Sequence, residues 1–412
     1  MNPTNRCTKE DVEEWLKPTL RKEGLKDYTI NISGSSAKGD GYLGDITFVE
    51  VSGKSATNEE KVYSFVIKSG KKSTELRDIM PIKSAFENEM LFYNKILPVF
   101  IDFQKEKGVK EPFNNAPKCY DTIILEDMEV LILENLKQRD FILHDRKFPM
   151  NRAHVEKVVK TYGKLHAISF ALRDQKPDLF KQLSRELVDI LKLIKKTMKP
   201  PPKTYNLYGT IIKYAEEDNE HEVVAKAYSL HEKVENAHEI TNPNDPYAVI
   251  LHGDCWNNNF MFKYADNKSS LLDVCLLDFQ LSRLASPVYD LSYFLFTSIS
   301  EVDIKDFDEI VELYYRSLSD SLREMGSDPN QMFPYEELLK QWKTYSLFGL
   351  MMMPNIINIC LSEQDEVPDL VEAAESDGDF GKMFIRSVKS KEQYRRRTIP
   401  IIKLAIEKGF AQ

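Results

Sequence analysis

The sequence has few of the features that mark secreted, fibrous or metal-cluster proteins. Its five cysteines are an odd number, are scattered along the chain and include no Cys-x-x-Cys pair. They therefore indicate neither a disulfide framework nor a zinc site, and a reducing compartment fits them best. With 16 glycines and 19 prolines in 412 residues, the chain is also too poor in both to be collagen-like or disordered.

Long apolar runs are missing as well. The longest weakly polar run, residues 347–361, is interrupted by Pro354, Asn355 and Asn358 and is shorter than the roughly 20 residues that span a bilayer. The stretch MNPTNRCTKEDVEEWLKP at positions 1–18 lacks the apolar core of a signal peptide, and its acidic residues are untypical of a transit peptide. We therefore expect a cytoplasmic protein without a membrane partner.

An excess of positive charge is the third absence. The chain carries 65 acidic against 56 basic residues, which gives a formal net charge of −9. Such a field repels nucleic-acid backbones and anionic lipid surfaces. We expect no nucleic-acid partner, and the sequence indicates no obligate protein partner.

The composition that is present, 42% hydrophobic over 412 residues, is that of a globular protein too long for one hydrophobic core. Alternating, β-branched stretches at residues 28–33, 45–51 and 61–68 predict three antiparallel strands. Apolar residues at helical spacing predict a helix over 84–103, and two further strands follow before residue 137. The first third therefore has the order β-β-β-α-β-β.

From about residue 150 the pattern is helical, apart from a strand-rich segment at 249–279. We predict helices over residues 151–173, 177–199, 217–237, 306–325 and 334–353. The predicted fold class is α+β with two lobes. An N-terminal antiparallel sheet lobe with one key helix would span residues 1–136, and a larger, mostly helical lobe would span residues 137–412.

The strand-rich segment contains the most informative polar residues. Apolar arms at residues 260–263 and 271–277 predict a β-hairpin, and folding it between its two central residues sets Asn259 opposite Asp278. An amide and a carboxylate oxygen at one sheet end suit Mg²⁺, which also takes water and phosphate oxygens. Asp254, upstream on the same loop, could stay free of the metal and accept the proton of an attacking hydroxyl. This arrangement suits phosphoryl transfer.

A glycine-rich stretch lies between the first two predicted strands. Gly39, Gly41 and Gly44 fit the pattern G-x-G-x-x-G, which in dinucleotide-binding proteins precedes a helix. Here residues 45–51 are strand-like instead. The stretch is therefore interpreted as a flap over nucleotide phosphates, and a flexible hairpin turn is the alternative.

Three more candidates belong to the same lobe. Lys68 ends an apolar strand and could direct its ammonium group toward phosphate oxygens. Glu89 or Glu87, on the following helix, could pair with it. The segment from Glu134 to Leu136 closes the lobe, and its backbone edge could hydrogen-bond a purine or could simply be a linker strand.

Four stretches together resemble one family. They are LHGDCWNNNFMF at 251–262, LDFQLSR at 277–283, PVYDL at 287–291 and FENEMLFY at 86–93. They are similar to the insect ecdysteroid-kinase-like family, within the aminoglycoside and choline kinase group of the protein-kinase-like fold, over roughly residues 35–350. His252-Gly-Asp254 stands in place of His-Arg-Asp and no Ala-Pro-Glu follows, which argues against a protein kinase.

The resemblance implies a two-lobed kinase-like fold, ATP and Mg²⁺ as cofactors, and a role for each matching residue. Asp254 would be the catalytic base, with Asn259 and Asp278 as the Mg²⁺ ligands. Lys68 would contact phosphate, and Glu89 is preferred over Glu87 as its partner. The scaffold would include His252, which buttresses the catalytic loop, and Asp290, which caps a helix or ties the loop together.

The substrate is implied only by class. A polyhydroxylated sterol needs an apolar pocket with a few polar groups, and Trp256, Trp342, Tyr345 and Phe348 are the candidate rings, the last three on one predicted helix. The first hypothesis is an ATP-dependent kinase that transfers the γ-phosphate to a hydroxyl of an ecdysteroid-like sterol or another small alcohol. The alternatives are a catalytically idle protein that binds a hydrophobic small molecule, and a choline-type kinase that uses the rings as a cation cage.

Overall fold

A computed structural model describes residues 7–35, 43–197, 205–237, 242–265, 270–363, 370–376 and 390–411. The architecture is α+β and two-lobed, as predicted: an antiparallel sheet forms the N-terminal part, and a larger helical part follows. The proposed boundary after residue 136 stays a prediction. In the described part of the chain, no single helix is long and apolar enough to cross a membrane, and only a bent pair of helices passes that test together.

A five-stranded antiparallel sheet forms the N-terminal lobe, with the strand order β1-β2-β3-β5-β4. The strands are β1 (Lys26–Ser35), β2 (Gly44–Lys54), β3 (Glu60–Gly70), β4 (Cys119–Leu125) and β5 (Met128–Glu134). They correspond to the five predicted strands and extend most of them, although β5 ends at Glu134, two residues before the predicted limit at residue 136. β3 lies at the centre of the sheet and is hydrogen-bonded to β2 on one side and to β5 on the other. Lys68 therefore projects from a strand that is paired on both edges.

One face of this sheet is covered by a helix that the sequence analysis does not predict, α1 (Lys9–Lys22). Its start is a capping box, in which the side chain of Thr8 accepts from the N–H of Asp11 and Asp11 accepts from the N–H of Thr8. Buried α1 side chains, including Trp15 and Leu16, pack on the sheet in a small separate core. The missed signal is therefore an N-terminal cap followed by an apolar stripe.

The helix predicted at 84–103 is present as a longer helical segment that is interrupted by a π-helical turn. Short α2 (Thr74–Ile79) precedes α3 (Ile82–Leu91), a π-helical turn (Phe92–Ile96) and α4 (Leu97–Lys107). The apolar face of this segment belongs to the main core of the larger lobe, with Phe86, Phe92 and Phe100 fully buried. The segment therefore joins the two lobes through packing.

The larger lobe contains helices α5 to α16. They are α5 (Arg152–Gln175), α6 (Pro177–Glu186), α7 (Ile190–Thr197), α8 (Gly209–Glu217), α9 (His221–Asn236), α10 (Val288–Ser298), α11 (Phe307–Glu324), α12 (Pro329–Met332), α13 (Tyr335–Tyr345), α14 (Leu347–Leu361), α15 (Leu370–Ser376) and α16 (Lys391–Glu407). The helices predicted over 177–199 and 334–353 are each split in two. At the second break the chain bends by 54° between α13 and α14. Trp342 and Phe348 therefore lie on different helices, and the prediction that they share one is wrong.

Two small sheets carry the polar segment. Strands β6 (Phe141–Leu143), β8 (Phe260–Tyr264) and β9 (Leu271–Leu276) form one, and β7 (Val249–Ile250) with β10 (Leu284–Ala285) forms the other. The predicted hairpin is present, but its register differs by one residue. Phe260 pairs with Leu276, and the N–H of Leu277 donates to the carbonyl of Asn259 at 2.9 Å, so Asp278 lies one residue beyond Asn259.

Candidate active site

A cavity of about 310 Å³ lies between the sheet and the helical lobe. It brings together most of the residues that the sequence analysis selects: Gly44, Lys68, Glu89, Glu134, Leu136, Asn259 and Asp278. Gly39 and Gly41 lie outside the described residues. His252 and Asp254 are absent from the wall of this cavity and stand beside it, on the loop between β7 and β8.

Lys68 links the two lobes through charge. Its ammonium group is 2.7 Å from a carboxylate oxygen of Glu89 and 2.9 Å from Oδ1 of Asp278, and the residue is only 6% exposed. Burial lowers the pKa of Lys68, but the carboxylates of Asp278 and Glu89 outweigh it and raise the pKa overall. Glu87, the alternative partner, instead lies near Lys83 on the exposed side of α3. The wall of the cavity therefore includes a lysine that is charged at neutral pH.

Asp278, two residues after the end of β9, adopts a left-handed backbone conformation, with φ 64° and ψ 75°. Aspartate tolerates this region better than most residues, and such strain is common at functional sites. The next residue, Phe279, stacks on Phe92 of the π-helical turn with ring centres 3.6 Å apart. The turn of α3–α4 and the turn after β9 are thus held as one packed unit, which fixes where the Asp278 carboxylate points.

Asn259 connects the cavity to Asp254. Its amide nitrogen donates to the carbonyl oxygen of Asp254 at 2.9 Å and to Oδ2 of the same residue at 2.8 Å. Because the NH₂ group is used in this way, the amide oxygen is the atom that remains for a ligand. The sequence places the two residues five positions apart, and a short 3₁₀ turn between them closes the loop.

The carboxyl group of Asp254 is held from two sides. Oδ2 accepts from Asn259, and Oδ1 accepts from the phenol of Tyr293 at 3.1 Å. Burial and the nearby negative charge of Asp278 nevertheless raise the pKa of Asp254 to about 7. A carboxyl group with such a pKa is suited to exchange a proton near neutral pH.

Asp290, on α10, ties the other side of the loop together. Its two carboxylate oxygens accept from the N–H groups of His252 at 2.8 Å and Gly253 at 2.9 Å. His166 contacts the same carboxylate through Nε2 at 3.2 Å. The ring of His252 donates through Nε2 to the carbonyl of Leu277 at 2.8 Å and accepts the N–H of Asp254 through Nδ1 at 3.2 Å. His252 therefore bridges the loop to the end of β9.

Gly253 occupies a position that no other residue fits. Its φ is +90°, and a Cβ atom there would lie 2.0 Å from the carbonyl oxygen of Leu281. The guanidinium of Arg283 lies beside it and donates to the carbonyl of Leu281 at 3.1 Å. The arginine of a His-Arg-Asp sequence could not be accommodated here, which gives a physical reason for glycine at this position.

The segment after β5 forms one wall of the cavity. The N–H groups of Glu134 and Asn135 donate to the carbonyls of Lys118 and Ser64, and the N–H of Lys137 donates to the side chain of Asn135. Among these consecutive amides, that of Leu136 has no acceptor in the described part of the chain. This backbone edge is the one that a flat heterocycle in the cavity could use.

A sequence model of the ecdysteroid kinase-like family matches residues 38–327, which is most of the chain. The chain belongs to this family. A search of the curated proteins finds no match. Membership indicates a small-molecule kinase in general terms and leaves the acceptor open.

The donor set in the cavity of this ecdysteroid kinase-like protein fits Mg²⁺. Asn259 presents an amide oxygen, and Asp278 presents a carboxylate of which one oxygen contacts Lys68. Within the described ranges no three His, Cys, Asp or Glu side chains come together as a metal cluster. A site here would therefore take few protein ligands, which is how Mg²⁺ is commonly held beside substrate phosphates.

Sequence reasoning missed two of the contacts that position the site. The side chain of Asn88, beside Glu89, donates to the carbonyls of Gln280 at 3.2 Å and Ser282 at 3.1 Å and so fixes α3 to the turn after β9. Tyr293 was missed too, although it lies three residues after Asp290 on one helix, a spacing that places both on the same face. That spacing is the signal that could have found it.

Proposed function

We propose that this protein is an ATP- and Mg²⁺-dependent kinase that transfers the γ-phosphate to a hydroxyl of an ecdysteroid-like sterol or another small alcohol. The observation that carries the proposal is the connection from Asp254 through Asn259 to the cavity that contains Asp278 and Lys68. A proton acceptor and two oxygen ligands stand on one short loop and the turn next to it. This is the set of groups that phosphoryl transfer to an alcohol requires.

The nucleotide would occupy the cavity. Asn259 and Asp278 would hold Mg²⁺, which, when bound, neutralises charge on phosphate oxygens. Lys68 is fixed by Glu89 in the cavity wall, so its ammonium group would meet phosphate oxygens without reorganisation. The amide of Leu136 would donate to the purine.

Asp254 would take the proton of the acceptor. In the step, the acceptor O–H bond breaks and its proton moves to the Asp254 carboxylate, while the oxygen forms a bond to the γ-phosphorus. The bond from that phosphorus to the bridging oxygen breaks, and ADP leaves with the electron pair. The chain contributes mainly position and charge, since the transferred group needs little covalent help.

An aromatic cluster beside Asp254 is buried in the core of the helical lobe. Phe348 contacts Tyr293 edge to face, with ring centres 5.8 Å apart, and lies 5.3 Å from Tyr289. The guanidinium of Arg283 lies over Phe348 at 5.0 Å. All four residues are at most 4% exposed, so this cluster belongs to the core that supports Tyr293.

An ATP-consumption assay over a panel of ecdysteroids, choline and glycosides tests the proposal, with phosphorylated products identified by mass spectrometry. We expect a phosphorylated sterol or related alcohol with the wild type and none with Asp254→Asn. Absence of turnover on every alcohol, together with absence of Mg²⁺-dependent stabilisation by nucleotide, would contradict it. Thermal stabilisation by sterol alone, without any effect of nucleotide, would favour the idle binding protein.

A further inference from the structure

Helix α10 contacts the catalytic loop at two points on one face. Asp290, in its first turn, accepts the loop N–H groups, and Tyr293, three residues later, reaches the side chain of Asp254. Every residue of α10 is buried, and the helix packs against α14, α13 and α5. A contact from such a helix is held in a constant position relative to the core.

The carboxylate of Asp254 has a different kind of donor on each oxygen. Asn259, which faces the cavity, donates to Oδ2 at 2.8 Å, and Tyr293, which lies in the core, donates to Oδ1 at 3.1 Å. A carboxylate with one donor can rotate about its Cβ–Cγ bond, because that torsion has broad minima. Two donors from opposite directions define one orientation of the carboxylate plane.

The phenol that makes the second contact is itself fixed. Tyr293 is 1% exposed, and its ring packs edge to face against Phe348. Its hydroxyl can donate only one hydrogen bond, and Asp254 is the acceptor that the structure provides. The carboxylate of Asp254 is therefore held in place by the helical core through Tyr293, as well as by its own loop through Asn259.

We propose that Tyr293 is a positioning residue, which holds the Asp254 carboxylate in the orientation that receives the acceptor proton. This inference rests on the proposed function, because it assigns Tyr293 a part in that reaction. Loss of the phenol would leave Asp254 bound on one side only. A misplaced base slows the chemical step and leaves nucleotide binding, which involves other residues, unchanged.

The decisive variant is Tyr293→Phe, which keeps the ring and its contact with Phe348 and removes only the donor. Its matched control is Tyr208→Phe, since Tyr208 is equally buried and its hydroxyl donates at 2.9 Å to the carbonyl of Leu350, away from the loop. We expect kcat to fall about tenfold or more in Tyr293→Phe with KM for ATP changed less than about twofold, and no change in kcat for Tyr208→Phe. A kcat within about twofold of that of Tyr208→Phe would overturn the inference.

A second readout does not depend on turnover. The infrared carboxylate stretch of Asp254, isolated with ¹³C-aspartate and subtraction of the Asp254→Asn spectrum, reports the hydrogen bonds of that group. We expect the band to shift in Tyr293→Phe and to stay in place in Tyr208→Phe. An unchanged band would refute the contact, whereas a shifted band in a protein with no kinase activity would retain the contact and refute the proposed function.

Discussion

Two buried carboxyl groups on opposite sides of one loop differ in their charge state. Asp290 is 1% exposed, and although burial raises its pKa, the hydrogen bonds and charges of His166 and His252 outweigh that effect and lower the pKa overall. For Asp254, burial and the charge of Asp278 prevail over its two donors, and the pKa rises to about 7. Burial alone therefore does not decide whether a carboxyl group is charged.

The difference separates a scaffold role from a chemical role. Asp290 accepts hydrogen bonds from two backbone N–H groups and from an imidazole, and these donors stabilise its negative charge inside the protein. Asp254 accepts from two neutral side chains and stands near the negative charge of Asp278. We expect substitutions at Asp290 to affect folding and substitutions at Asp254 to affect turnover.

The largest expected effect is on catalysis. Asp254→Asn removes the proton acceptor and keeps the shape of the side chain, so kcat should fall by about 10²- to 10⁴-fold. Stability in urea should be unchanged or slightly higher, since the substitution removes a charge that Asp278 opposes. Steady-state kinetics and denaturation on the same preparation check both parts. Activity close to that of the wild type would remove Asp254 from the reaction.

Asp290→Ala should act on stability instead. It leaves the N–H groups of His252 and Gly253 buried without an acceptor, which predicts a loss of about 3–5 kcal/mol in the free energy of unfolding. Urea denaturation followed by circular dichroism measures it. The control is Asp320→Ala, because Asp320 is exposed and its ion pair among the described residues is with the neighbouring Arg323. A loss below about 1 kcal/mol at position 290 would show that the loop does not depend on this carboxylate.

Gly253→Ala tests whether the backbone of the loop is as constrained as its side chains. The added Cβ would meet the carbonyl of Leu281 at 2.0 Å, whereas Gly326 has a similar φ of +85° and no atom within 4 Å of the same position. Gly326→Ala should cost about 1 kcal/mol from conformation alone, and Gly253→Ala about 2–3 kcal/mol more from the added steric conflict. Equal losses in the two variants, measured by urea denaturation, would argue against the close approach.

A smaller effect is expected from His154, whose imidazole, like the carboxyl group of Asp254, is shifted by burial toward its neutral form. His154 is held neutral: its Nδ1 lies 2.7 Å from the amide oxygen of Asn151, its Nε2 lies 2.6 Å from the hydroxyl of Tyr264, and burial and the charge of His144 lower its pKa to about 4. Because this value is below that of an unfolded histidine, the stability it contributes is present above about pH 6.5 and is lost as the pH falls toward 4.

The loss should be about 2 kcal/mol between pH 6.5 and 4, after allowance for partial hydration of the ring. His154→Gln should flatten the stability profile over this interval, as measured by urea denaturation at several pH values. A variant profile that stays parallel to that of the wild type would assign the acid sensitivity to other groups.

Much of the site could be predicted because its residues lie close together in sequence. The apolar arms at 260–263 and 271–277 specify a hairpin, and a hairpin necessarily brings its two ends together. The error in register arose at the turn end of the hairpin: Tyr264 pairs with Leu271, whereas the predicted register pairs it with Asp273. An irregularity before Tyr264 restores one of these two residues, which leaves an error of one. Tertiary contacts such as that of Tyr293 depend on how α10 packs, which spacing along the chain can suggest but cannot establish.

The order of helices and strands could largely be predicted from the sequence, but the residues at which they begin and end could be predicted less well. α1 was missed because its apolar stripe is interrupted by charged residues and Pro18, and its burial becomes evident only from the sheet that it covers. The break between α13 and α14 falls at Ser346, where neither a proline nor a glycine indicates the end of a helix. In both places, packing outweighed local sequence preference.

The most direct test of the central claim is the position of the metal in crystals grown with Mn²⁺ and a non-hydrolysable ATP analogue. We expect one anomalous peak bonded to the amide oxygen of Asn259 and to the carboxylate of Asp278, with Asp254 outside the coordination shell. A peak elsewhere in the cavity, or one coordinated by Asp254, would contradict the assignment of ligand and base.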